Sequence, residues 1–324
     1  MNKSENNREI LLSVSGVKKK YYVGNQYLFN KKSFAALNDV SLEILNGQIW
    51  GLVGESGCGK TTLGRCIIRL ESIDEGKIVF DNNDITNWKR KKVFLLKKKM
   101  QLIFQDPYSS LNPRKKISES VFDALDLHKE LSFSEKRKQA EEMLHYVGIK
   151  KEDFLKYPHE LSGGQKQRIS VARALVGKPE LIICDEPVSA LDVSIQAQIL
   201  NLFKKIKEEH SLTYLFISHD LSVINFLCDY IMVMFAGTII ESGCKKDIFE
   251  RPLHPYTREL LGSIPSILKE KISDFAIADD GEIYLETGCR YYYRCRLRSI
   301  NCRVNMPALS ILEGDHKVAC HHVN

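Results

Sequence analysis

Apolar residues in this chain fall into short dense runs set between longer amphipathic stretches. The runs Ile49–Val53 (IWGLV), Leu181–Cys184 (LIIC) and Leu212–Ile217 (LTYLFI) are too short for helices and carry no polar alternation, so they read as strands buried on both faces. Thr61–Leu70 and Ser194–His210 show helical spacing of their apolar positions, and Asp229–Gly243 (DYIMVMFAGTIIESG) reads as a hairpin. Strands alternating with helices predict a mostly parallel sheet. Ahead of it, Leu11 to about Asp84 predicts an antiparallel β portion, with Asn82–Asn83 as turn formers in GKIVFDNNDIT. The lysine-rich stretch Trp88–Met100 predicts a solvated helix face. Ile117–Leu125 and Ser134–Ile149 predict amphipathic helices interrupting the sheet. From Asp247 onward the character changes: Pro252, Pro255 and Pro265 bracket one short helix, and a tail follows.

Composition adds bounds rather than direction. The chain has 324 residues, 44% hydrophobic and 27% charged, which suits about two domains with a large core. A formal charge of +6 permits an anionic partner without arguing for one. The polar start MNKSENNREI carries no secretory signal, and the best apolar stretch, Tyr230–Ile240, is far short of a membrane span. Five cysteines (Cys58, Cys66, Cys184, Cys228 and Cys244) lie scattered through expected core elements, which favours a reducing compartment over a disulfide framework.

The sharpest chemistry follows the first strand. Gly54, Gly59, Lys60 and Thr61 match the GxxxxGK[ST] phosphate loop between a strand and a helix. Such a loop curls backbone N–H groups around phosphate at a helix N-terminus. Lys60 would reach the β- and γ-phosphates and the Thr61 hydroxyl a Mg²⁺ ion. The expected nucleotide contacts are Gly54, Glu55, Ser56, Gly57, Cys58, Gly59, Lys60, Thr61 and Thr62. The run LIICDEP ends in two adjacent acids, which core packing alone does not explain because an unpaired buried carboxylate is costly. Asp185 would hold Mg²⁺, and Glu186 would polarise an attacking water.

With these motifs stands LSGGQ (Leu161–Gln165), and the chain then resembles the ATP-binding subunits of ABC transporters. The resemblance implies that Ser162, Gly163, Gly164 and Gln165 grip the γ-phosphate bound by a second subunit across a head-to-tail dimer. A Ser-Gly-Gly turn before a helix is itself an anion nest with Ser162 as N-cap. Gln105 resembles the glutamine that contacts Mg²⁺ and water, Ser189–Asp192 the loop crossing the dimer seam, and His219 the switch histidine. Tyr21 fits the aromatic that stacks on adenine, with Tyr22 as the alternative. The implied reaction is phosphoryl transfer to water, with Lys60, Gln105, Glu186 and His219 as catalytic residues. The implied fold is α/β, a P-loop NTPase with a RecA-like mostly parallel sheet, an N-terminal antiparallel β portion, an inserted helical subdomain and a C-terminal cysteine-rich extension. The expected domains are 11–246, with helices at about 107–175, and 247–324.

LVGESGCGKTTLGR, FQDPYSSLNPR, YPHELSGGQKQR and HPYTRELLGSIP narrow the resemblance to the oligopeptide/dipeptide importer ATPases, over Leu11 to Val323 and of the second-ATPase type. This implies pairing with a homologous ATPase (a homodimer being the alternative) beneath two membrane permeases, with an extracellular substrate-binding protein feeding them. The chain would sit peripherally on the cytoplasmic face. QDPYSSLNP (Gln105–Pro113) would receive a permease helix. Nickel importers use similar ATPases, so a nickel or other small-solute importer is the alternative substrate reading.

The tail holds Cys289, Cys295, Cys302 and Cys320, among five arginines and three tyrosines. Arginines would lower thiolate pKa values. The spacing is not the paired CxxC of small zinc sites. Importer relatives carry a similar extension, some with a [4Fe–4S] cluster, so the resemblance implies these four cysteines as its ligands, although Arg296 stands where a proline is usual. Zn²⁺ is the alternative metal, with His316, His321 and His322 as substitute ligands. The Arg/Tyr interleaving also admits a nucleic-acid-linked ATPase, although no nucleic acid is expected.

Overall fold

The computed structural model describes residues 9–23, 32–106, 111–209, 212–262, 284–285 and 287–323. Among them the chain runs β1 (Ile10–Val23), β2 (Lys32–Leu45), β3 (Ile49–Val53), α1 (Lys60–Ile67), β4 (Glu75–Phe80), β5 (Asn83–Asp84), α2 (Arg90–Lys99) and β6 (Met100–Ile103). Then come α3 (Ile117–Phe122), α4 (Phe133–Tyr146), α5 (Gly163–Leu175), β7 (Leu181–Asp185), α6 (Val193–Glu209), β8 (Thr213–Ile217) and α7 (Leu221–Leu227). The remainder is β9 (Tyr230–Phe235), β10 (Thr238–Cys244), α8 (Lys245–Glu250), α9 (Pro255–Gly262), α10 (Ile300–Val304), β11 (Ser310–Glu313) and β12 (His316–Val318). The chain folds as two compact units. One holds Met1–Leu11, Ile44–Ile49 and Asn87–Ile217; the other holds Leu12–Glu43, Trp50–Thr86 and Ser218–Asn324.

In the first unit, β6, β7 and β8 pair in parallel, as the uniformly apolar runs predict. Every residue of β7 and β8 is buried. Helix α6 covers them with Ile199, Phe203 and Ile206, and the Phe203 ring stands edge-on to Phe216 at 5.5 Å. The connection from β6 to β7 is helical where helices were expected. Helix α4 starts on a reciprocal cap in which Ser132 Oγ accepts from Glu135 N while Glu135 accepts from Ser132 N at 2.7 Å. The lysine-rich α2 buries only Leu96, a solvated helix as read.

The second unit contains a sheet in the order β2-β1-β4-β5, in which β1 and β4 and then β4 and β5 pair antiparallel. Its β4–β5 turn is centred on Asp81 and Asn82, both at positive φ (47° and 60°), one residue earlier than the Asn82–Asn83 expected. A two-residue hairpin with both central residues left-handed is favoured by strand twist, and Asp and Asn tolerate that conformation. Strands β3 and β9 run parallel, but β10, β12 and β11 then join antiparallel. The two-residue connection Ala236–Gly237 reverses the chain, which is the hairpin expected over Asp229–Gly243, while the joining of β12 and β11 beyond it was not read from the sequence. Helix α1 also stops three residues early: Arg69 turns left-handed (φ 60°) and Leu70 N donates to Arg65 O at 2.9 Å, closing the helix end.

Strand β12 carries tail residues onto β10, and a buried carboxylate fixes the join. Glu241 is fully buried and accepts from Leu253 N (2.8 Å), His254 N (2.9 Å) and His316 Nε2 (2.8 Å). His316, a candidate zinc ligand by sequence, is therefore a structural partner of Glu241. No helix among the described residues is long and apolar enough to cross a membrane.

Candidate functional site

In the second unit, β3 runs straight into the phosphate loop. Gly54 (φ 152°) and Gly59 (φ 111°) adopt backbone that suits glycine. A Cβ at Gly54 would meet Met234 O at 2.2 Å, and one at Gly59 would meet Ala36 O at 2.4 Å. Gly237 N, in the β9–β10 turn, donates to Cys58 O at 2.8 Å, so that turn braces the loop from outside. Lys60 opens α1, is nearly buried, and folds its ammonium back onto Gly54 O (2.7 Å) and Glu55 O (2.8 Å). The Cys58 sulfur lies 3.7 Å from the Lys60 ammonium, and burial still pushes its thiol pKa up. Glu55, Ser56 and Gly57 are exposed at the loop's rim, while Thr61 and Thr62 are half-buried.

Tyr21 and Tyr22 point to opposite faces of β1. The Tyr21 hydroxyl donates to Glu71. Burial first, and the Glu71 carboxylate next, push its phenol up to about 12 against a smaller pull from Thr62. Tyr22 is 69% exposed. Beside β3, Ser218 N donates to Leu52 O at 3.2 Å. His219 follows immediately and is exposed, before Asp220 caps α7 through Ser222 N at 2.8 Å.

The first unit gathers the remaining motif residues. Asp185, the last residue of β7, is 5% exposed. Glu186 follows at a positive φ of 48°, with its N–H held by Ile217 O at 3.0 Å. Gln105, 81 residues earlier, donates its amide to Glu186 Oε2 at 3.1 Å. Ser189 Oγ donates to Glu186 O at 3.1 Å. The structure thus brings Gln105, Glu186 and Ser189 together. Of QDPYSSLNP, Pro107–Ser110 lie outside the described residues, as do His210 and Pro265.

LSGGQ forms the N-terminus of α5. Ser162 Oγ accepts from Gln165 N at 3.3 Å, and Gln165 Oε1 accepts from Ser162 N at 3.0 Å. The N-cap read from sequence is present, with the reciprocal bond added. A Cβ on Gly164 would meet Ile195 Cγ2 of α6 at 2.5 Å, so glycine lets the two helices approach.

The tail departs from expectation. Burial pushes the Cys289 thiol up to about 11 and raises Cys295 and Cys320 as well. Neighbouring thiols of the same set push further in that direction. Burial therefore overrides the arginines that were expected to lower these values. Cys302 Sγ lies 3.3 Å from Ser299 Oγ and 3.4 Å from His322 Nε2, and His321 Nε2 contacts Asn305 O at 2.9 Å. Among the described residues no group of three or more His, Cys, Asp or Glu side chains is arranged to hold a metal ion. The donor chemistry suits a soft metal, but this arrangement of the four thiols does not fit one. Part of the basic–aromatic stretch is engaged internally, while Arg296, Arg298 and Arg303 are exposed. The Arg290 guanidinium lies 4.6 Å from the Tyr284 ring centroid, Arg298 caps Tyr293 O, and Tyr291 is buried.

Sequence reasoning missed three residues around the loop. Glu55 N donates to Tyr256 Oη at 3.0 Å, and the Glu55 carboxylate pairs with Arg294 at 2.9 Å. Arg294 also pairs with Glu259 at 2.5 Å. Glu55 and Arg294 are 239 positions apart, and no local pattern could have joined them.

The family profile described as ABC transporter matches residues 37–189, and that of the oligopeptide/dipeptide transporter C-terminal region matches 240–302. The chain is 42% identical over 323 residues to the oligopeptide transport ATP-binding protein AppF of Bacillus subtilis, covering 97% of this chain and 98% of that one. It is 40% identical over 318 residues to the dipeptide transport ATP-binding protein DppF of Haemophilus influenzae, covering 97% of each. Among solved structures, a dimeric ATP-binding cassette in a post-hydrolysis state bound to ADP and Pi matches with a TM-score of 0.65 at 29% identity. That match covers 72% of this chain and 98% of the cassette.

Proposed function

Because the chain belongs to the ATP-binding subunits of the oligopeptide and dipeptide ABC transporters, we propose that it hydrolyses ATP to drive peptide uptake through a membrane permease pair. The observation that carries this reading is the phosphate loop, whose open backbone at Gly54 and Gly59 leads into α1 with Lys60 drawn inside. Loop N–H groups and the α1 terminus would take the phosphates, with Lys60 swinging from its carbonyl partners to the phosphate oxygens. Tyr21, rather than the exposed Tyr22, would stack on adenine. Thr61, Gln105 and Asp185 are a hard, all-oxygen donor set of the kind Mg²⁺ takes, and the ion would neutralise phosphate charge. Glu186, held by Gln105, would orient the attacking water, with His219 at the γ-phosphate. Ser162, Gly163, Gly164 and Gln165 would serve the nucleotide of a second ATP-binding subunit. In this reading that subunit is a homologue, two permeases lie above the pair, and an extracellular binding protein delivers substrate. The chain then sits peripherally on the cytoplasmic face, with a nucleotide-binding domain at 11–246 and an extension at 247–324.

The test is ATP-dependent uptake of labelled peptides into vesicles holding the permeases and both ATP-binding subunits, with Ni²⁺ uptake measured in parallel. Lys60→Ala in this chain is expected to abolish peptide uptake. Uptake of Ni²⁺ but not of peptides would refute the substrate assignment.

For the tail, four neighbouring thiols, of which Cys295 and Cys302 are buried, carry the donor chemistry of a [4Fe–4S] or Zn²⁺ site. No step of the proposed function runs through a metal there. Iron, sulfide and zinc content after anaerobic purification decides it, and protein free of all three refutes it.

A further inference from the structure

Among the described residues the C-terminal extension meets the phosphate loop at Glu55. Glu55, second in the loop, has its N–H on the Tyr256 hydroxyl and its carboxylate on Arg294 Nη1. The other arm of the guanidinium reaches Glu259 on α9, whose second oxygen accepts from the Tyr291 hydroxyl. Arg294 therefore bridges two carboxylates, one in the loop and one on α9. It does so beside the rings of Phe235, Tyr256 and Tyr291, at 5.6–5.8 Å from their centroids. Tyr256 and Tyr291 are each 1% exposed and tilt against one another at 5.6 Å, so this platform is fixed by packing. The carbonyl of the same Glu55 accepts from the Lys60 ammonium. One residue thus joins the extension to the lysine.

We propose that Arg294 and Tyr256 are positioning residues for nucleotide binding: by fixing Glu55 from both its backbone and its side chain, they hold the phosphate loop and Lys60 in shape before the nucleotide arrives. This rests on the reading of the loop as the ATP site. A loop left free to sample other shapes must be ordered at the moment of binding, which weakens apparent affinity by the fraction of time it is misshapen. Chemistry at saturating nucleotide is unaffected, because the bound loop is already ordered. The planar guanidinium fork meets both carboxylates in fixed geometry, which a lysine ammonium on its flexible stem reproduces less well. Arg294 is 25% and Glu55 46% exposed, so solvent screening keeps the ion pair modest. The linkage is reciprocal, and bound nucleotide should steady the extension in turn.

The experiment compares the full chain, assembled with its partner subunits, as wild type, R294A, R294K, Y256F, E55Q and the R294A/E55Q double variant. ATP KM and kcat are measured, together with binding of a non-hydrolysable ATP analogue. R294A is expected to raise KM and the analogue's Kd about threefold to tenfold with kcat held within about twofold. Y256F should shift KM in the same direction, R294K should recover part of the loss, and the double variant should bind no more weakly than R294A. Unchanged KM and Kd in both R294A and Y256F would overturn the proposal, as would loss of kcat with KM unchanged. A wild type without ATPase activity would instead overturn the functional reading beneath it.

Discussion

Acid should loosen the α9 region through one histidine. His254 is 1% exposed, and its Nδ1 accepts the Tyr256 N–H at 3.0 Å, a bond that exists only while that nitrogen carries no proton. Burial pushes its pKa down from 6.5 to about 4; Glu241 pulls the other way and Arg258 adds to the depression. In the unfolded chain the ring titrates near 6.5, so between that pH and 4 the unfolded state binds more protons than the folded one. Stability from this group is complete above pH 6.5 and is lost as pH falls through the window. With those two values the loss between pH 7 and pH 4.5 is about 2.5 kcal/mol. Other groups titrate in the same range, so the informative quantity is a difference between two proteins. His254→Asn removes the titration while offering Oδ1 as a substitute acceptor for the Tyr256 N–H. Urea unfolding followed by tryptophan fluorescence suits the assay, because Trp50 stacks on Tyr230 at 4.9 Å in the same unit. Wild type should lose about 2–3 kcal/mol more than His254→Asn between pH 7 and pH 4.5. Equal losses in the two proteins would refute the reasoning.

Two further outcomes follow from geometry. Gly164→Ala, at an ordinary helical position, would gain up to about 1 kcal/mol from helix propensity. Its Cβ would instead meet Ile195 Cγ2, and χ1 of a β-branched helical residue has little freedom to move aside. A net destabilisation of about 1–2 kcal/mol in urea unfolding is expected, recovered in Gly164→Ala/Ile195→Ala, and a stabilised single variant would contradict the packing. Glu186→Gln keeps an oxygen for Gln105 to donate to but removes the carboxylate, so ATP binding should persist while kcat falls about 10²- to 10⁴-fold. Binding and turnover of radiolabelled ATP separate the two effects, and near-normal kcat would remove Glu186 from its assigned role.

What the sequence made legible is what local physics determines. Uniformly apolar runs announced β7 and β8, and Ser162 three residues before Gln165 carried its own helix start. The phosphate loop was readable because its glycines answer to backbone conformation within a few residues. Distant contacts were not readable. The burial that raises the tail thiols, the placement of His316 on Glu241 and the Arg294–Glu55 pair all depend on which strand the tail joins, and nothing in the tail's own spacing encodes that. The β10–β12 pairing decides it, after a two-residue hairpin has turned the sheet antiparallel.

Glu186 shows both sides of this limit. Its identity and its place after an apolar strand were legible, because two adjacent acids there are hard to explain by packing. Its left-handed backbone was not. A non-glycine residue at φ 48° costs about 1–2 kcal/mol, and the surrounding bonds must enforce it. They do so from three directions: its N–H on Ile217 O, its carbonyl accepting from Ser189 Oγ, and its carboxylate accepting from Gln105. Strain maintained at an acid assigned to water activation aims the carboxylate, whereas a glycine there would relax the backbone and lose the group. The strained conformation therefore agrees with the chemistry proposed for this position, and it could not have been argued from the motif alone.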